Sequence, residues 1–213
     1  MASTWPLHRT RFEVACGKLN RRASNAPRAT LARTTTRQSE WGRAIHTLYL
    51  LRHAKSSWAD QTLADRERPL ARRGRRDAKR IAKHLVRLEI APELVLCSSA
   101  ERTRETLALV EPALAATSTV SVEAELYAAS ADQLLERIRT VPEAVASVMV
   151  IGHNPGLQDL ALLLASAGAE LGRLEVKMPT AALATLTLAN TTWRQLSEGE
   201  AVLAAYVVPK QLG

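Results

Sequence analysis

The amino-acid sequence predicts a three-layer α/β/α sandwich with a largely parallel sheet. Short apolar runs of strand length alternate with longer segments whose apolar residues recur at helical spacing. Strands that alternate with helices in this way form parallel sheets covered by helices. The chain has 213 residues, enough for one domain with a sizeable core. No apolar run reaches the roughly 18 residues that a membrane-spanning helix needs.

The individual elements follow from the same patterns. Residues 72–88 read as a helix because an apolar stripe recurs at helical spacing while basic residues occupy the other positions. Ser130 with Gln133 predicts a capping box. Ser98 or Ser99 is placed to cap the helix after the second strand, and Asn154 to cap the helix after the fourth. The predicted strands are 46–51, 94–97, 120–122, 148–151, 182–188 and 201–208.

Arginine and histidine side chains follow three of these strands. Arg52 and His53 come directly after the first strand, Arg102 follows the second, and His153 follows the fourth. In open α/β sheets, binding and catalytic groups collect beyond the carboxyl ends of the strands. We therefore expect two arginines and two histidines to meet at one edge of the sheet, with no carboxylate cluster beside them to hold a metal ion.

The positive charge is concentrated in the first part of the chain. The net charge is +8, and residues 1–45 hold nine basic but only two acidic residues. This segment lacks apolar periodicity, so we expect a disordered basic extension before a domain at 46–213. It is either a non-functional extension or an organelle transit peptide. A nucleic-acid-binding arm is disfavoured because no aromatic residues interleave with the basic ones.

Two cysteines, Cys16 and Cys97, provide no disulfide framework and fit a reducing compartment. We therefore expect a cytoplasmic protein, or an organellar one if the extension is a transit peptide. We expect a monomer with no nucleic-acid or membrane partner.

The residue types at the strand ends suit phosphoryl transfer. Arg52 and Arg102 reach the edge from two strands, and a guanidinium stays charged and can bind two phosphate oxygens at once. A neutral imidazole can attack phosphorus and carry the phosphoryl group, which divides the transfer into two steps. These arguments leave open which of the two histidines is the nucleophile.

The motifs around these residues resemble the histidine phosphatase superfamily, which is phosphoglycerate mutase-like in fold, and in particular its SixA-type phosphohistidine phosphatase branch. The resemblance covers about residues 46–208, and four motifs occur in the family's order. The residues that carry it are 51–58, 68–70 with 73–74, 98–106 and 152–156.

The resemblance implies roles for individual residues. His53 is expected to be the nucleophile that forms phosphohistidine, and His153 to contact the transferring group together with the two arginines. Glu125 lies in the loop after the third strand, where the superfamily often has a general acid, although a plain loop carboxylate is an equal alternative. Ser57 is a candidate phosphate ligand, although a turn-forming serine is the simpler interpretation. We expect no cofactor and no metal ion, because two arginines beside the histidines would repel a divalent cation.

Two substitutions favour hydrolysis over mutase activity. Ala54 follows the catalytic histidine, as in the SixA-type branch, and Ala59 stands where many mutases have an asparagine. No long insertion is available to form a lid over the pocket. We therefore expect a metal-independent phosphatase that acts on protein phosphohistidine.

Three alternative functions compete with this one. The first is a phosphatase of a small phosphomonoester, and the second is a non-catalytic module that binds a phosphoprotein. A binding module would not require a nucleophile, which argues against it. The third is a cysteine-dependent phosphatase, which needs five residues between its cysteine and arginine. Only four separate Cys97 from Arg102.

Overall fold

A computed structural model describes residues 45–212 of the chain. The predicted disordered extension, 1–45, lies outside the described residues except for its last one, and so does Gly213. The boundary between an extension and a domain therefore stays a prediction. Within residues 45–212, no helix is long and apolar enough to cross a membrane.

Seven strands form one sheet. In chain order they are β1 (His46–Arg52), β2 (Leu94–Ser98), β3 (Thr119–Glu123), β4 (Ser147–Gly152), β5 (Ala165–Ala167), β6 (Leu183–Leu188) and β7 (Ala201–Val207). Their order across the sheet is β3-β2-β4-β1-β6-β7-β5. The strands from β3 to β1 are parallel, β6 is antiparallel to β1 and β7, and β5 is parallel to β7. The prediction of a largely parallel sheet is confirmed.

Helices cover both faces of this sheet. They are α1 (Arg72–Arg87), α2 (Glu101–Val110), α3 (Ala131–Arg139), α4 (Gly156–Leu164) and α5 (Leu171–Val176). Consecutive side chains of a strand point to opposite faces. Accordingly, Leu50 of β1 belongs to the core under α3 and α4, whereas Leu51 belongs to the core under α1 and α2. The three-layer prediction is confirmed.

Two predicted helix caps are wrong. The N-cap of α2 is Ala100, which makes no side-chain cap, because the hydroxyl of Ser98 bonds to His153. The N-cap of α4 is Pro155, and the Asn154 amide instead donates to Gln158 and to the carbonyl oxygen of Met178. Both side chains bond to distant residues at the strand ends and therefore do not cap the helices. The capping box at the start of α3 is confirmed.

The parallel topology brings the ends of β1, β2 and β4 to one edge. The backbone N–H of His53 donates to the Gly152 carbonyl oxygen, so β1 and β4 stay paired to their last residues. On the other side, the N–H of Ala181 donates to the carbonyl oxygens of both Arg52 and His53. The residues after β1 are therefore fixed from two sides.

Helix α1 packs closely against the segment that follows His53. A Cβ at Gly74 would overlap the carbonyl oxygen of Lys55. We expect Gly74→Ala to lower the free energy of unfolding by about 1–3 kcal/mol, because backbone must move to remove the overlap. Activity should fall as well, since the displaced segment directly follows the strand-end histidine. Urea denaturation and turnover of an aryl phosphate measure the two effects.

Gly172→Ala is the matched control. Gly172 also lies in a helix, but a Cβ there meets nothing within 4 Å. This change should leave stability unaltered or raise it by up to about 1 kcal/mol, because alanine is the better helix former. Equal effects of the two substitutions would contradict the close packing of α1.

Candidate active site

His53 lies just beyond the end of β1 and is 7% exposed. Its Nδ1 lies 2.8 Å from the carbonyl oxygen of Ala54. A carbonyl oxygen only accepts hydrogen bonds, so Nδ1 carries the hydrogen and Nε2 of the neutral ring has a free lone pair. Burial in the first place, with smaller contributions from His153, Arg102 and Arg52, lowers the pKa of His53 to about 3, although the hydrogen bond to Ala54 raises it. The ring is therefore neutral near pH 7.

His153 stands beside it at the end of β4. The centroids of the two imidazole rings are 5.1 Å apart. A guanidinium nitrogen of Arg102 donates to Nδ1 of His153 over 3.3 Å, so the other ring nitrogen, Nε2, donates to Ser98 Oγ at 2.8 Å. Burial and then Arg102 lower the pKa of His153 to about 4. Both histidines are thus neutral in a strongly positive setting.

Two guanidinium groups border the histidines. Arg52 donates through Nη1 to the carbonyl oxygen of Met178 at 2.7 Å, and its buried Nε has no hydrogen-bond partner among residues 45–212. Arg102, in the first turn of α2, is almost entirely buried. Arg52 and Arg102 lie near enough that each guanidinium lowers the pKa of His53. Two like charges, one buried on Arg102 and one partly buried on Arg52, stand beside two neutral rings, which favours an anionic ligand.

Asp65, which the sequence analysis did not identify, balances part of this charge. Its Oδ2 accepts from Arg102 at 2.9 Å and from the Tyr127 hydroxyl at 2.8 Å, while Oδ1 accepts from Arg68 at 2.8 Å. Arg102 also donates to the Asp65 carbonyl oxygen at 2.5 Å. The Tyr127 hydrogen bond, followed by Arg102, lowers the pKa of Asp65 to about 2. Asp65 is therefore a carboxylate held on the guanidinium of Arg102.

Glu125 and Ser57 are not brought into this group. Glu125 is exposed and lines a separate cavity with residues of β3 and α3. Its carboxylate makes no hydrogen bond or ion pair with any of residues 45–212. The Ser57 hydroxyl accepts from the N–H of Ala59 at 3.1 Å, as expected for a turn-forming serine. Neither side chain contacts the two histidines or the two arginines. Acid catalysis by Glu125 and phosphate binding by Ser57 therefore stay predictions.

The cysteine alternative fits the structure poorly. Cys97 is fully buried in β2, and burial raises the pKa of its thiol to about 12. A thiol with so high a pKa is a weak nucleophile at neutral pH. Within the described part of the chain, no three His, Cys, Asp or Glu side chains are grouped so that they could hold a metal ion.

Comparisons with known proteins point to one family. A sequence profile of the histidine phosphatase superfamily (branch 1) matches residues 48–134. An uncharacterized protein of Mycobacterium tuberculosis is 37% identical over 168 residues, which are 75% of this chain and 100% of that protein.

Solved structures extend the similarity to the fold. The SixA protein of Nakamurella multipartitia, assigned as a phosphohistidine phosphatase, superposes with a TM-score of 0.66 and 29% identity, covering 78% of this chain and 97% of that one. The protein histidine phosphatase SixA in complex with tungstate gives a TM-score of 0.64 and 25% identity, with 78% and 99% coverage.

The contact between Asp65 and Arg102 predicts how anions bind here. Asp65→Asn keeps the shape of the side chain but removes a negative charge that both occupies Arg102 and repels an incoming anion. We expect the Kd of tungstate or inorganic phosphate to fall about fivefold, which is roughly 1 kcal/mol for a partly exposed charge. Isothermal titration calorimetry near pH 7 measures the change.

Asp60→Asn is the matched control, because Asp60 is exposed in the same loop and, among residues 45–212, its side chain bonds only to Thr62. It should leave anion binding unchanged. Weaker binding in Asp65→Asn would contradict the competition between Asp65 and the anion. It would indicate instead that Asp65 holds Arg102 in its binding position.

Proposed function

The chain belongs to the histidine phosphatase superfamily and is a phosphatase, and we propose that it removes phosphoryl groups from histidine side chains of proteins. The observation that carries this proposal is the hydrogen bond from His53 Nδ1 to the Ala54 carbonyl oxygen. It leaves Nε2 as a neutral nucleophile beside two guanidinium groups.

In the first step, Arg52 and Arg102 hold the oxygens of the phosphoryl group and Nε2 of His53 attacks phosphorus. A bond forms between Nε2 and phosphorus while the bond from phosphorus to the substrate nitrogen breaks. The substrate imidazole, which carries a proton on its other ring nitrogen, takes the electron pair of the broken bond and leaves as a neutral ring. The phosphorylated His53 ring retains its Nδ1 hydrogen and becomes cationic, so the Ala54 carbonyl oxygen stabilises the intermediate. The guanidiniums stabilise the charge spread over the phosphoryl oxygens.

In the second step, a water molecule attacks the phosphorus of the phosphohistidine and displaces Nε2. Inorganic phosphate leaves, and His53 returns to its neutral form with Nδ1 still bonded to Ala54. The proton that the attacking water loses goes to phosphate or to solvent. No step requires a metal ion, which is why we propose a metal-independent reaction.

His153 contacts the transferring group, and its ring hydrogen can shift between Nε2 and Nδ1 to allow this. Arg102 now donates to its Nδ1. When a phosphoryl group takes over the Arg102 contact, Nδ1 can carry a hydrogen and donate to a phosphoryl oxygen. The Ser98 hydroxyl supports either form, because it can accept from Nε2–H or donate to an unprotonated Nε2.

A substrate phosphohistidine suits the groups that the chain offers. Its imidazole leaving group can leave as a neutral ring, so the reaction depends less on a general acid such as Glu125. The similarity to SixA structures over nearly their whole length supports the same substrate class. The element order shows no inserted subdomain within residues 45–212, which suits a substrate presented on a folded protein.

We further propose a cytoplasmic enzyme that acts as a monomer. One chain supplies both arginines and both histidines of the site, so a second copy is not required to complete it. The buried, reduced Cys97 is compatible with a reducing compartment.

The covalent step predicts a trapped intermediate. Rapid quenching with labelled substrate should yield an acid-labile, base-stable adduct on His53, identified by mass spectrometry of peptides kept at alkaline pH. His53→Ala should lose turnover by at least about 1,000-fold, because it removes the nucleophile. Cys97→Ser, the control, should retain it. An adduct on another residue, or near-normal turnover by His53→Ala, would disprove the assignment.

Substrate preference tests the proposed function itself. We expect kcat/KM to be higher for a protein carrying phosphohistidine than for any member of a panel of sugar and nucleotide phosphates. The reason is that the P–N bond breaks without strong acid assistance. A preference of about a hundredfold or more, near 2.7 kcal/mol, for one small phosphate would identify a phosphomonoesterase instead. Binding without turnover of any substrate would indicate a phosphoprotein-binding module.

A further inference from the structure

A basic cavity of about 520 Å³ opens beside Arg52. It is bordered by the first turns of α1, by the segment before β6 and by the turn after β7. Its basic side chains, besides Arg52, are Lys55, Arg73, Lys177 and Lys210. Arg52 lines the basic cavity and also lies beside His53, so the cavity adjoins the catalytic centre.

The charge of the basic cavity is poorly neutralised. The carboxylate that lines it, Asp77, is 8% exposed and already pairs with Arg73 and Arg80. The ammonium groups of Lys55, Lys177 and Lys210 make no hydrogen bond or ion pair with residues 45–212. The three unpaired lysines, Arg52 and the partly neutralised Arg73 are five cations around one cavity. They repel one another, and an anionic ligand would relieve that repulsion.

The type of cation indicates the type of anion. A single phosphate is best bound by planar guanidinium forks and backbone N–H groups at fixed distances. Here exposed lysines are spread over several hundred cubic ångströms, and each is a point charge on a flexible stem. Such an arrangement suits several carboxylates on a chain segment, for which position matters less than the local field.

The opposite flank of the site has the opposite sign. A second cavity, of about 590 Å³, is lined by Glu123, Glu125, Asp132 and Glu136 against Arg137. Glu123 and Glu125 lie at the end of β3 and just beyond it, at one side of the sheet, whereas the basic cavity lies next to β6 and β7, on the other side of β1. An acidic segment is therefore attracted to one flank and repelled by the other.

We propose that the basic cavity binds an acidic segment of the substrate protein, adjacent to its phosphohistidine, and so orients that protein over His53. This inference rests on the proposed function. It adds a recognition site outside the catalytic group and predicts substrates with Asp or Glu side chains close to the phosphorylated histidine.

The test compares two phosphohistidine peptides, one with glutamates and one with glutamines around the phosphohistidine. At low ionic strength the wild-type enzyme should show about tenfold higher kcat/KM for the acidic peptide. In Lys177→Glu/Lys210→Glu this ratio should fall to one or below. Because the ratio is taken within each variant, a general loss of activity cancels.

Lys79→Glu/Lys83→Glu is the matched control. It changes the net charge by the same amount on the exposed face of α1, outside the basic cavity, and should keep the wild-type ratio. Equal kcat/KM for the two peptides in the wild type would overturn the inference while the proposed function stands. The inference would also be overturned if Lys177→Glu/Lys210→Glu kept the wild-type preference for the acidic peptide. The same holds if the control variant lost that preference.

A binding measurement without catalysis separates this inference from the proposed function. The unphosphorylated acidic peptide, measured by fluorescence anisotropy, should bind the wild type more tightly than Lys177→Glu/Lys210→Glu. Equal binding would overturn the inference. Failure to hydrolyse either phosphohistidine peptide, while an aryl phosphate is hydrolysed, would overturn the proposed function, and with it the acidic phosphoprotein as the ligand.

Discussion

The ring of His53 donates its Nδ1 hydrogen to the carbonyl oxygen of Ala54, and the chemistry of the site depends on that bond. The carbonyl oxygen is held in place by the backbone on either side of it. The N–H of Ala54 donates to Thr106 Oγ1 in α2, and the carbonyl oxygen of Lys55 accepts from the N–H of Ala71 at the start of α1. Two helices and the central strand thus fix one imidazole tautomer.

The charges around His53 suit the fixed neutral tautomer of its ring. A nucleophilic imidazole must be neutral, and burial beside two guanidiniums keeps it neutral well below pH 7. The guanidinium of Arg102 also needs a counter-charge when no phosphoryl group is bound. Asp65 provides it from a short 3₁₀ turn at residues 65–67, where its side chain is half exposed.

The sequence was sufficient to predict that the two arginines and two histidines meet at one edge of the sheet, because parallel topology brings strand ends together. Arg52 and His53 could be assigned to a strand end from the apolar run before them, and His153 in the same way. The alternation of helix and strand patterns likewise predicted the layers. The short β5 and α5 were missed, since three and six residues are too few to show a periodicity.

The remaining parts of the site depend on contacts between segments far apart in the chain. Asp65 is 37 residues from Arg102 and lies in a loop, so no local pattern marked it. Ser98 was read as a helix cap because its local sequence favours one, but its hydroxyl has a distant partner in His153. Glu125 matches the position of a general acid in the family, but its side chain makes no contact with the two histidines or the two arginines.

Catalysis by His53 as described requires a neutral ring with its hydrogen on Nδ1. Two-bond ¹H–¹⁵N NMR spectra of the histidine side chains test this directly. We predict a protonated Nδ1 and an unprotonated Nε2 for His53, unchanged between about pH 8 and pH 5, because its pKa lies far below the usual value of about 6.5. A hydrogen on Nε2, or a titration midpoint near pH 6.5, would contradict it.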